Sequence, residues 1–339
     1  MTQTLWQRVR SGFTRPVTPQ PRGIGSAHAK AILLGEHSVV YGAPAIALPV
    51  PALTVGAAAQ RVAGSGRLST ALYDGPAATA PAAVGSTVAA VRATLAALGD
   101  TAAGAGLDDV DVRVDSAIPA GRGLGSSAAV AAAVADAVAN AFGRPLDAAQ
   151  RHHVIMESER IAHGTPSGLD ARTVVSSRPV WFHERLAEDL PVGAPGALVL
   201  ADTGSAAATL DAVAGVRTLR QRTPGSVDAT IDALARLTAA ARTDLAFGDL
   251  AAVGAAMDQA HALLSTLGVS SPALDHLVAH ARRAGALGAK LTGGGRGGCV
   301  IALADDADAA RRIALSLRDA GAPAAWTLDL VPAVEAVAA

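Results

Sequence analysis

The chain has 339 residues with a formal net charge of −1; 50% of them are hydrophobic, 17% charged and only 3% aromatic. That length exceeds one ordinary core and predicts two domains, while the composition excludes a disordered chain. The scarcity of rings argues against base-stacking on nucleic acid, and the near-zero net charge leaves any anion recognition to local groups.

Four arginines and several prolines in residues 1–22 predict a flexible arm, without a signal peptide's apolar core. Apolar runs then predict strands over Ala27–Leu34, Ala45–Val50, Leu53–Ala59 and Arg67–Thr70. Helical spacing from Val84 to Leu98 ends at Gly99, and Val110–Val114 alternates as a half-buried strand does. A glycine and serine loop, Gly121–Ser127, precedes an alanine-rich helix, Ala128–Phe142. Asp147 suits the cap of a further helix running towards His163, and a turn-rich stretch leads to Leu169–Val175. Turn signals from Pro191 to Pro195 place a domain boundary near 195. Beyond it the pattern predicts a strand at Ala197–Ala201 and helices over 207–222, 226–247, 249–267 and 272–284. Strands at Gly288–Leu291 and Gly298–Leu303, a helix at Asp306–Ala320 and a strand at Ala324–Leu330 follow.

The single cysteine, Cys299, excludes an intramolecular disulfide framework and a cysteine-cluster metal site, and its apolar run predicts a buried small hydrophobe. This fits a reducing cytoplasm. No run of roughly 20 apolar residues escapes interruption by Gly, Pro or charge, which predicts a soluble protein without a membrane partner.

Four stretches could carry chemistry. In Pro119-Ala-Gly-Arg-Gly-Leu-Gly-Ser-Ser-Ala-Ala-Val, Gly121, Gly123 and Gly125 would let backbone N–H groups approach an anion at a helix start, with Ser126 and Ser127 as hydroxyl donors. The pattern is neither a Walker loop nor a Rossmann fingerprint, and a bare glycine loop is often only a turn. A second cluster, Lys290-Leu-Thr-Gly-Gly-Gly-Arg-Gly-Gly-Cys-Val, could close over phosphates with Thr292 or Arg296 as donors, pack on the first loop, or be a simple hairpin. Lys30 lies in an apolar strand, where it either snorkels at an edge or reaches a site; Glu36 and His37 follow it in a turn. Glu157, Glu159 and Asp170 flank His163-Gly-Thr-Pro-Ser-Gly-Leu. A magnesium and ATP enzyme needs a metal carboxylate and a proton acceptor, though all three are equally ordinary helix charges. Glu157 and Glu159 point about 200° apart on a helix, so one of them at most faces a site.

Together and in their order along the chain, these stretches resemble the motifs of the GHMP kinases. Ala27-His-Ala-Lys-Ala-Ile-Leu-Leu-Gly-Glu-His-Ser-Val-Val-Tyr-Gly is most similar to the first motif of the mevalonate kinases within that superfamily. Two departures stand out: Arg296 where many members have glycine, and Ser-Ala-His-Ala-Lys in place of Ala-Pro-Gly-Lys. The resemblance implies an α+β, two-domain GHMP kinase fold. A ribosomal-protein-S5-domain-2-like N-terminal domain, 23–195, would bind ATP, and a ferredoxin-like-type α+β C-terminal domain, 196–339, would complete a cleft where ATP and the alcohol meet. It implies transfer of the γ-phosphoryl group of ATP to the C5 hydroxyl of mevalonate. Asp170 would be the base and Lys30 its partner; Ser127 and Glu159 would hold Mg2+; Gly121, Arg122, Gly123, Leu124, Gly125, Ser126 and Ser127 would cradle the triphosphate. Glu36, His37, Gly293 and Gly294 would receive mevalonate. A homodimer is compatible with it, and a nucleic-acid partner is not expected. The alternatives are a GHMP kinase for a sugar or homoserine, a catalytically silent nucleotide-binding regulator, and a scaffold using its glycine loops only for packing.

Overall fold

The computed structural model describes residues 22–164 and 166–332. Of the expected arm, all but Arg22 lies outside the described residues, as does Thr165. The described chain forms two compact units, each discontinuous in sequence: one of residues 22–29, 53–119 and 125–175, the other of 30–52, 120–124 and 176–332.

Two strands, β1 (Arg22–Leu34) and β2 (Ala45–Arg61), each contribute to both units. In the first unit β2 pairs antiparallel with β5 (Val110–Ser116), in register Val55↔Ser116 to Arg61↔Val110. β3 (Arg67–Ser69) lies parallel to β5 and antiparallel to β4 (Asp74–Pro76). Three helices pack together, α1 (Gly85–Leu98), α2 (Ser126–Ala141) and α3 (Ala148–His163), followed by the short α4 (Leu169–Thr173). Alanine dominates α2 for a steric reason. A Cβ on Gly23 would lie 1.9 Å from Ala137 O, and one on Gly25 would lie 2.1 Å from Ala133 O, so strand and helix meet backbone to backbone. Side chains longer than a methyl group do not fit such an approach. Asp147 caps α3 as expected, accepting from Gln150 N at 2.8 Å while the Gln150 side chain returns to Asp147 N, a reciprocal capping box. By length and composition alone the helical stretch 82–102 could cross a membrane. Here it is an internal helix, burying Thr87, Ala90, Val91, Thr94, Leu95 and Leu98 against its neighbours.

In the second unit β2 pairs with β6 (Val180–His183), which forms a hairpin with β7 (Leu186–Asp189). A separate antiparallel sheet runs β11 (Ala324–Leu330), β8 (Gly196–Asp202), β10 (Cys299–Ala304), β9 (Gly288–Thr292). Every residue of β8, β9 and β10 is buried. α5 (Thr209–Arg222), α6 (Pro224–Phe247), α7 (Leu250–Thr266), α8 (Pro272–Arg283) and α9 (Ala307–Asp319) complete the unit. Asp249, Ser271 and Asp306 cap α7, α8 and α9 by accepting a backbone N–H three residues on.

The sequence reading of two strands at 45–50 and 53–59 is corrected to one long β2. Pro49 and Pro51 fall between the stretch that pairs with β6 and the stretch that pairs with β5, so their missing N–H groups break neither ladder. β4, β6 and β7 were not anticipated.

Candidate functional site

In the first unit, Gly125 adopts a left-handed conformation (φ 70°) and turns the chain into α2. Ser127 in the opening turn donates from Oγ to Glu159 Oε1 on α3 at 2.5 Å. Glu159 is buried, with Oε2 3.8 Å from His163 Nε2 one turn later. Glu157 lies on another face of α3, part-exposed and paired with Arg160, so the two carboxylates divide as the helical angle requires. A hydroxyl and a carboxylate in contact are the hard oxygen donors a magnesium ion takes when it keeps waters and phosphate oxygens as its other ligands. Among the described residues no group of three or more His, Cys, Asp or Glu side chains could form an all-protein metal cage. Asp170 stands in the first turn of α4, entered through Gly168 (φ 96°).

In the second unit, Lys30 lies in the buried run Ala29–Leu34 at 4% exposure, so it does not snorkel. Its backbone N–H donates to Leu124 O at 3.0 Å, joining β1 directly to the first glycine loop. Arg122 of that loop donates to the Asp202 carboxylate at 2.9 Å and to Gly204 O at 3.2 Å. These bonds tie the loop to the end of β8.

Glu36 and His37 occupy the turn after β1, and both are buried. His37 has φ 58°, a strained conformation for a residue with a Cβ, and its Nε2 lies 2.9 Å from Gly294 O. Burial lowers its pKa, opposed by the Gly294 carbonyl and reinforced by Arg296 and Lys290. The imidazole therefore stays neutral and its N–H donates to the carbonyl. The first motif is thus fastened to the second glycine cluster. Thr292 strengthens the join: its Oγ1 donates to Ile32 O and accepts from Ile32 N, each at 2.9 Å.

Two of the cluster's expected donors are spent on the protein itself. Thr292 is committed to β1, while Arg296 donates from Nε to Gly268 O (3.2 Å) and from Nη1 to Asp211 O (3.3 Å). Of the expected arrangements, the cluster packs on the first loop. A Cβ on Gly293 would sit 3.0 Å from Gly123 Cα. Cys299 is buried as expected; burial, then Asp202, pushes its thiol up to about 12, so it is no nucleophile.

The sequence reading gave no role to Lys290. Fully buried on β9, it is ion-paired with Glu36 and donates to Leu291 O at 2.8 Å. Burial raises the Glu36 pKa, with Lys290 and then Lys30 pulling it back; burial lowers that of Lys290, opposed by Glu36. Nothing local links residues 254 positions apart, so only a lysine inside an apolar strand pattern could have flagged it.

Comparison with known proteins follows the same lines. The family model described as the GHMP kinases N terminal domain matches residues 85–178, and that described as GHMP kinases C terminal matches 227–323. A mevalonate kinase of Thermococcus sibiricus is 34% identical over 323 residues, covering 88% of this chain and 94% of the relative. One from Aeropyrum pernix is 36% identical over 295 residues, covering 84% and 90%. Among solved structures, the mevalonate kinase of L. major in complex with R-mevalonate superposes with a TM-score of 0.77 at 24% identity, covering 94% of this chain and 99% of that one.

Proposed function

The chain belongs to the mevalonate kinases of the GHMP superfamily, and from that premise we propose that it transfers the γ-phosphoryl group of ATP to the C5 hydroxyl of mevalonate, giving 5-phosphomevalonate and ADP. The observation that carries the reading is the fastening of the first motif to both glycine loops, Lys30 N–H to Leu124 O and His37 to Gly294 O. The motif most specific to mevalonate kinases is thereby built into the loops expected to hold phosphate.

In this reading Gly121, Arg122, Gly123, Leu124, Gly125, Ser126 and Ser127 cradle the triphosphate with backbone N–H groups and the α2 N-terminus. Ser127 and Glu159 would hold Mg2+, which neutralises charge on the phosphates when bound. Asp170 accepts the proton of the attacking hydroxyl. Lys30 offers its ammonium to the charge that develops during transfer. Glu36, His37, Gly293 and Gly294 receive the acceptor, and Val39, Val40 and Tyr41 give it an apolar wall suited to a branched hydroxy acid with one methyl group. Direct in-line transfer requires no covalent enzyme intermediate, because positioning and electrostatics supply most of the rate.

The reading is compatible with a homodimer and includes residence in the cytoplasm without membrane or nucleic-acid partners, and a division into an arm (1–22), an ATP-binding domain (23–195) and a C-terminal domain (196–339). The last is supported by the two family segments falling on either side of residue 195. The test is a coupled assay for ADP release with mevalonate, galactose, homoserine and 5-phosphomevalonate. Mevalonate should exceed each rival in kcat/KM by about a hundredfold or more. A rival that matches it removes the substrate assignment.

A further inference from the structure

Lys290 takes no part in the chemistry above, yet it is the largest fully buried side chain among the described residues. Its ammonium meets only Glu36 Oε1 and Leu291 O among the described residues. The strand that carries it is held on both sides: Thr292 is bonded twice to Ile32, and Leu291 N donates to His261 Nδ1 at 3.3 Å. The clamp is therefore rigid. Glu36 presents one oxygen to it. The other, Oε2, is buried and has no hydrogen-bond partner among the described residues. A buried carboxylate satisfied at one oxygen only is a half-complete network, and a donor from outside the protein would complete it. The neighbouring His37 cannot be that donor, since its Nε2 is committed to Gly294 O.

We propose that Lys290 is a positioning residue for acceptor recognition: it clamps Glu36 through Oε1 and leaves Oε2 to accept a hydrogen bond from a hydroxyl of the acceptor alcohol. This rests on the reading of Glu36 as part of the acceptor site. Lys290 opposes the burial of the Glu36 carboxylate both electrostatically and through its hydrogen bond, ahead of Lys30.

The experiment is steady-state kinetics on the full chain for Lys290→Met and for the double variant Lys290→Met/Glu36→Gln, with folding followed by thermal melting. Lys290→Met strands a buried charge and can fail to fold; the double variant strands none and carries the test in that event. In either, the KM for mevalonate should rise about tenfold or more, the worth of a hydrogen bond to a charged group, while the KM for ATP stays within about threefold. The acid limb of kcat/KM for mevalonate should also move to higher pH in Lys290→Met. Burial already raises the Glu36 pKa, and Lys290 is the stronger of its two opposing cations; His37 and His261, which also feel Lys290, have their pKa values lowered chiefly by burial. An unchanged mevalonate KM and pH limb in Lys290→Met would overturn the proposal. So would a wild-type mevalonate KM in the double variant, which would make the pair merely structural. If the wild type prefers another alcohol, the substrate assignment alone fails, and the same KM comparison with that alcohol decides the role of Lys290.

Discussion

The two glycine clusters look alike in sequence and differ in kind. In the first, Gly121 and Gly123 need glycine for their backbone (φ 67° and 75°), and a Cβ at Gly121 would meet nothing closer than 3.8 Å. In the second, Gly295 also has a positive φ (80°), but a Cβ there would lie 2.1 Å from Val269 O, and one on Gly297 would lie 2.3 Å from Ala206 O. At Gly121 the first loop is glycine for conformation with space left beside it, although Gly123 lies against Gly293; at Gly295 and Gly297 the second is glycine because protein already fills the space. A cradle requires the former and a clasp the latter. Glycine count therefore says little about phosphate binding until the surroundings of each Cα are known.

Substitutions separate the two roles. The largest effect lies outside both loops: Asp170→Asn should reduce turnover by about 10²–10⁴-fold while ATP binding, measured by fluorescence titration, stays close to wild type. Wild-type-like turnover would remove the base from Asp170. Next, Gly295→Ala should lower stability by about 3 kcal/mol or more, combining left-handed strain with a backbone clash. Gly121→Ala should lose only about 1–2 kcal/mol, from strain alone, and should weaken ATP binding instead. Denaturant melts of the pair break the comparison if their losses are equal.

Glu159→Gln should raise the magnesium concentration needed for half-maximal rate about tenfold, since removing a carboxylate weakens a hard-cation site. An unchanged titration would hand the metal to another carboxylate. The smallest effect is on pH. His261 beneath the clasp has its pKa lowered from 6.5 chiefly by burial, with Asp275 opposing and Lys290 and Arg282 reinforcing the shift. Its stabilising contribution is thus full above pH 6.5 and lost as the pH falls through the lower folded value. Thermal melting from pH 7.5 to 5 should show a midpoint that declines below 6.5, and His261→Gln should flatten that decline. An identical slope in the variant would exclude His261 as the source.

Much of the architecture was legible because it is written locally. Helix periodicity gave α5 to α9 within about two residues, and Asp147 announced its own capping box. The hairpin β6–β7 was not legible, since its turn residues Glu184 and Arg185 adopt positive φ (51° and 64°) without the glycine or asparagine that usually marks such a turn. At the site, the residue types were readable but their commitments were not. Thr292 and Arg296 read as ligand donors and are bonded to the protein itself, and the Lys290–Glu36 pair joins distant segments. Local spacing cannot record which of several polar groups tertiary packing will consume.

Phosphorus NMR of a reaction containing the full chain, magnesium, ATP and mevalonate tests the central claim most directly. The account predicts one new phosphomonoester resonance coupled to the C5 methylene of mevalonate, growing in step with ADP and absent with Asp170→Asn. Consumption of ATP to ADP and inorganic phosphate alone, with no phosphoester on mevalonate, would contradict it.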